Sequence, residues 1–108
     1  MKEKNGIIEL DSKFGKQLGF TSDKFDGWLW KKGNYIYISF IESLQPGKGN
    51  LSKLFSNILK AGYGIKVPTP LGSMEAIVRK KGFRQIYEWS NTFGENVEVW
   101  VKNKEVIR

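Results

Sequence analysis

The chain reads as a mixed α/β domain, with a mostly antiparallel sheet, one parallel strand-helix-strand crossover and about two main helices. Three observations predict it. Aromatic and β-branched runs flank a Gly-Asn turn between residues 26 and 41, apolar residues then recur at helical spacing from Leu51 to Leu59, and a second hairpin pattern follows between Phe83 and Lys102. At 108 residues, with 40% hydrophobic and 14% aromatic content, the chain can bury one core. No repeat, linker or low-complexity stretch divides it, so a single domain over residues 1–108 is expected, with residues 1–25 its least defined part.

Taken in order, Gly6 to Leu10 suggests a strand, and Ser12 to Phe20 a short helix or a loop. Asp26 to Lys32 and Tyr35 to Ile41 then form a hairpin around Gly33-Asn34. In its second strand, alternation places Ile36, Ile38 and Phe40 on one face and Tyr35, Tyr37 and Ile41 on the other, the pattern of a central strand covered on both sides. Leu51, Leu54, Phe55, Ile58 and Leu59 line one face of the strongest helix, Gly62 stops it, and Lys53 and Lys60 face water. Gly64 to Val67 is a short strand, which makes the strand-helix-strand unit a right-handed parallel crossover. Thr69-Pro70 reads as N-cap and first residue of a second helix with Met74, Ile77 and Val78 on its apolar side and Gly82 as its stop. The closing hairpin pairs Phe83–Ser90 with Val97–Lys102.

Eighteen Lys and Arg against eleven Asp and Glu give a net charge of +7, which attracts polyanions and phosphorylated ligands in general. The densest basic runs, Lys31-Lys32 and Arg79-Lys80-Lys81, are too short for a polybasic tail and read as solvated faces. The chain has no Cys and no His, which excludes disulfides, thiolate or imidazole metal ligands and Ser-His or Cys-His catalysis; no metal is expected. Without a signal-like or long apolar run, a cytoplasmic protein with no membrane association is expected.

The sharpest local motif is Gln45-Pro46-Gly47-Lys48-Gly49-Asn50-Leu51 between a strand and an amphipathic helix. Glycines let the backbone approach a ligand, and the free N–H groups of the helix start favour an anion such as a diphosphate. Lys48 adds a cation. Neither Gly-x-x-x-x-Gly-Lys-Ser/Thr nor Gly-x-Gly-x-x-Gly is present, since Ser52 stands where the third glycine of the latter belongs. A purely structural turn, with Asn50 capping its own helix, accounts for the motif about as well.

The strand at 35–41, the run Pro46 to Phe55, the strand at 64–67 and the helix ending Lys80-Lys81-Gly82-Phe83 together resemble the GNAT family of acyl-CoA N-acyltransferases, over roughly residues 27–103. Pro-Gly-Lys-Gly-Asn and Val67-Pro68-Thr69-Pro70 are similar to short variants of that family found in phage and mobile elements. The resemblance implies a GNAT-like fold and acetyl-CoA as co-substrate, with Ile41 and Pro46, Gly47, Lys48, Gly49, Asn50 and Leu51 lining its site. It implies an amine acceptor, of a protein or a small molecule. Four positions depart from the family pattern: Pro46 replaces Arg or Gln, Leu51 a small residue, Leu71 an Asn and Val78 the Tyr that protonates the leaving thiolate. The chain also lacks length for the family's paired N-terminal helices, which implies an open acceptor site.

Glu42, at the end of the central strand, is the one carboxylate nominated as general base, and a solvated strand-end residue is the plainer reading of it. Tyr35 and Tyr37 are hydroxyl donors that a core would also explain. Trp28, Trp30, Trp89 and Trp100 near lysines suggest base stacking, although alternating aromatics on paired strands usually fill a core. Two alternatives therefore stand beside the acyltransferase: a GNAT-shaped binding protein without catalysis, and a basic nucleic-acid-binding module.

Overall fold

The computed structural model describes residues 4–104. The elements run β1 (Gly6–Ile8), α1 (Lys13–Leu18), β2 (Phe25–Lys32), β3 (Tyr35–Ser43), α2 (Asn50–Lys60), β4 (Gly64–Pro68), α3 (Ser73–Lys80), β5 (Arg84–Ser90) and β6 (Glu95–Lys102). The six strands make one mixed sheet in the order β1-β2-β3-β4-β6-β5. Among the described residues only β3 and β4 run parallel, as the crossover through α2 requires, and every other pair is antiparallel.

One buried cluster runs from Ile8, Leu18 and Phe20 through Ile36, Ile38 and Ile65 to Val78, Phe83 and Trp100. Leu54, Phe55, Ile58 and Leu59 of α2 supply its centre; burying each contributes about 1.5–3 kcal/mol by area, which is what holds the helix on the sheet. All three helices stop alike. A glycine is followed by an aromatic whose N–H returns to a carbonyl five residues back: Phe20 to Gly15, Tyr63 to Ile58 and Phe83 to Val78. The same aromatics then pack on the core, Phe83 against Phe55 at 5.5 Å between ring centroids.

The starts of the two longer helices differ from the sequence expectation. Gly49, not Asn50, precedes α2, and no side chain caps it. For α3 the preceding residue is Gly72, so Thr69-Pro70 lies outside the helix and belongs to the connection after β4. The N-terminal segment is better formed than its composition implied: Ser12 caps α1 by accepting from the Gly15 N–H at 3.0 Å.

The largest departure lies in β3. Trp28 pairs with Phe40 but Trp30 pairs with Tyr37, so Leu29 alone faces both Ile38 and Ser39. This bulge reverses the alternation beyond it. Ile36 and Ile38 are buried under α2, whereas Phe40 is 50% exposed on the opposite face and Ile41 turns to the helices. Gly27, opposite Ile41, sits where a Cβ would meet the Phe40 carbonyl oxygen at 2.3 Å, so the close approach admits no side chain. β3 is accordingly not covered on both sides.

The face away from the helices is open. Across it, neighbours in register run Ile7, Trp30, Tyr37, Lys66, Val101 and Arg84, one from each strand. Trp28, Trp30 and Trp89 are exposed at 45%, 44% and 63%, so of the four tryptophans only Trp100 serves the core, with Arg79 over its ring. Lys31 also departs from the solvated reading: it is buried among the helices, its ammonium donating to Asn5 Oδ1 and lying over the Tyr63 ring.

Candidate functional site

The pairing of β3 with β4 ends at Tyr37 and Lys66. Beyond that rung β4 continues beside β6 as far as Pro68, while β3 bends away at its bulge beside β2. The sheet therefore splits, and three cavities meet at the split.

On the helix side, a groove of about 430 Å³ runs from the 45–52 turn to α3; Ile41, Pro46, Gly47, Gly49, Asn50 and Leu51 line it, opposite Leu71, Met74 and Ile77. Sharing Ile41, Leu71 and Met74 with that groove, a cavity of about 190 Å³ fills the gap between Ile38–Ile41 and Val67–Leu71. On the open face, a third cavity of about 460 Å³ shares Ser39, Pro68 and Thr69 with the gap. The three cavities are therefore neighbours, each separated from the next only by the residues it shares with it.

At the turn, the N–H groups of Gly47, Gly49, Asn50, Leu51 and Ser52 donate to no acceptor among the described residues. Those of α2 are free because a helix leaves its first donors unpaired, and no side chain caps this one. Gly47 and Gly49 hold φ of 82° and 77°, and a Cβ on either would meet nothing within 4 Å, so the turn is open to solvent at both glycines. An anion fits there.

Lys48 is exposed in the same turn. Lys24 and Lys53 converge with the Asn50 side chain on a small cleft beside it, and the buried Asn50 Nδ2 has no partner. Lys24 is a contribution that sequence spacing does not reveal, because it arrives from the loop before β2. Gln45 is not available to a ligand: its side chain donates to the Asp23 carbonyl at 2.9 Å.

At the seam, Thr69 holds φ of 41° while its N–H donates to the Glu98 carbonyl at 2.8 Å. A β-branched residue in that region is strained, by about 1–3 kcal/mol. The strain sits where the gap opens on the outer face.

The outer cavity is walled by Trp28, Trp30, Tyr37, Trp89 and Phe93. Glu88 lines it as well, but its carboxylate is engaged: Oε1 accepts from the Tyr37 hydroxyl at 3.3 Å, and Oε2 from the Lys66 ammonium. Burial pushes the Tyr37 phenol up, partly offset by Lys66. Burial alone would lower Lys66, yet hydrogen bonds to Glu88 and Tyr37 outweigh it and hold the ammonium above its ordinary range.

Of the other residues singled out from sequence, Glu42 is exposed and lines none of these three cavities. Val78 is wholly buried in the core. Leu71, 78% exposed, stands at the mouth of both the helix-side groove and the gap. Among the described residues no three His, Cys, Asp or Glu are grouped to hold a metal ion, and no helix is long and apolar enough to cross a membrane.

Charge divides between the faces. The helices and the turn carry Lys13, Lys16, Lys48, Lys53, Lys60, Arg79 and Lys80 against one carboxylate, Glu75, itself bridged to Arg79. The open face sets Lys32, Lys66 and Arg84 against Asp26, Glu42, Glu88 and Glu95. The excess positive charge thus surrounds the side with the free amides. Comparison of the chain with protein-family models, with curated proteins and with solved structures finds no match.

Proposed function

We propose that the protein is a GNAT-like N-acyltransferase that passes the acyl group of acetyl-CoA to an amine. The observation that carries this reading is the split between β3 and β4, beside which the free amides of the 47–52 turn line a groove on one face and a ligand-sized cavity lies on the other. The one parallel pair, β3 and β4, and the placing of Ile41 and the 46–51 turn on a common groove support it further.

In this reading the free amides of Gly47, Gly49, Asn50, Leu51 and Ser52, with the side chains of Lys24, Lys48 and Lys53, hold the diphosphate of CoA. Met74 and Leu71 wall its arm, and the thioester lies in the gap beside Ser39 and Ile41. The amine enters from the open face. Its lone pair attacks the thioester carbonyl carbon, the C–N bond forms, the C–S bond breaks, and CoA leaves as the thiol with the proton that the amine gives up. Positioning supplies much of the rate, and β3 amides without a β4 partner are the donors that polarise the carbonyl. Val78 brings no hydroxyl, so the hydroxyls of Ser39 and Thr69, which line both the gap and the outer cavity, relay the proton in this reading.

Titration with acetyl-CoA, followed by thermal unfolding or calorimetry, tests the reading without knowledge of the acceptor. Saturable stabilisation is expected, about 2.7 kcal/mol at a hundredfold excess over Kd. No response at millimolar acetyl-CoA sinks it. A second reading, a binding protein without chemistry, is favoured by the missing hydroxyl at Val78; acetyl-CoA that binds but is never consumed with any amine selects it.

A further inference from the structure

The outer cavity is unlike the helix side in chemistry. Trp28, Trp30, Tyr37 and Phe93 line it together with Lys32, and its volume of about 460 Å³ suits one small molecule. Its single carboxylate, Glu88, already carries the Lys66 ammonium and the Tyr37 hydroxyl. No uncommitted anion therefore faces the cavity among the described residues. A polyamine or a many-amine sugar, which needs several carboxylates, has nothing to pair with there. A nucleic acid strand needs an excess of cations along the groove, and that excess lies on the opposite face.

We infer that the acceptor is a primary amine joined by a short link to a flat aromatic ring, held by stacking against Trp28 and Trp30 with its nitrogen directed to Ser39 and Thr69. This inference rests on the acyltransferase reading for the word acceptor, but the binding itself does not. The same chemistry helps the reaction. The cation Lys32 at the cavity, with Glu88 already paired to Lys66, disfavours a second ammonium there and so favours the neutral amine, which is the nucleophile.

The test is tryptophan fluorescence titrated with phenethylamine, hexylamine and spermidine, in the absence of acetyl-CoA. Phenethylamine is expected to quench saturably and to bind at least about tenfold more tightly than the other two, a difference of about 1.4 kcal/mol. Trp30→Ala and Phe93→Ala, both at exposed positions, are expected to lose about tenfold in affinity while circular dichroism stays unchanged. Spermidine binding as tightly as phenethylamine overturns the inference. So does salt-sensitive binding of a single-stranded oligonucleotide that competes with phenethylamine, or the absence of saturable quenching by a folded protein. A protein that binds phenethylamine but not acetyl-CoA retains this cavity assignment and loses the acyltransferase. One that binds acetyl-CoA and prefers spermidine does the reverse.

Discussion

Trp28 and Phe40 lie flat against each other across β2 and β3, ring centroids 5.0 Å apart and planes 9° apart, on the open face of the sheet. That stack exists because one bulge moves Phe40 off the face that Ile36 and Ile38 occupy. Phe40→Ala is therefore expected to cost only about 0.5–1.5 kcal/mol, the worth of an exposed aromatic pair, rather than the 3–5 kcal/mol of a core phenylalanine. Urea unfolding of the variant distinguishes the two values.

Gly49 sits before the first turn of α2 at φ of 77° with nothing in front of it. Gly49→Glu is expected to abolish stabilisation by acetyl-CoA, by placing a carboxylate before the amides, and to cost the apo protein about 1–2 kcal/mol. Gly49→Asn, which tolerates this backbone region, is expected to keep most of the apo stability. Thermal shifts of both variants with and without acetyl-CoA check the pair.

Val78 has no accessible surface, and the amide after its helix returns to its carbonyl at 3.0 Å. A tyrosine there, as in the GNAT pattern the sequence resembles, is expected to overpack the core, destabilising the fold by about 1–3 kcal/mol without creating activity. A Val78→Tyr protein of unchanged denaturation midpoint with gained acyl transfer would contradict this placement.

Thr69 stores strain at φ of 41° where the gap opens outward. Thr69→Gly relieves it and is expected to leave stability unchanged or raised by up to about 1 kcal/mol, because glycine's greater unfolded freedom offsets part of the gain. Turnover with acetyl-CoA is expected to fall in the same variant. A loss of stability above that scale would show that the threonine side chain holds the connection.

Both Tyr37 and Lys66 titrate above their ordinary values in the folded state. A raised folded value means that the native state keeps its proton where the unfolded chain releases it, so this stability is complete below the unfolded values, near 10. It is lost as pH climbs from about 10 through the folded values. Denaturant midpoints from pH 8 to 11 are expected to fall over that upper range, and less steeply in Glu88→Gln, which removes one hydrogen-bonded charge from the cluster.

Strand and helix content, the parallel crossover, the helix stops at Gly62 and Gly82 and the glycine turn at 46–51 were all legible in the sequence. Each depends on local physics: side-chain periodicity, glycine's backbone freedom and the donors left over at a helix start. The split of the sheet was not legible, because a bulge is a register decision between β2 and β3, and a shift of one residue reverses which face every later side chain meets. Phe40 and Ile41 exchanged faces for that reason. Nor does spacing place Lys24 beside Asn50, or gather tryptophans from β2 and β5 around one cavity, since those neighbours meet only when β6 inserts between β4 and β5 and the helices all settle on one side. What the sequence by itself determined was a glycine turn that leaves its helix-start amides free; which cavities adjoin that turn and the sheet was decided by tertiary packing, which alone sets where two strands part.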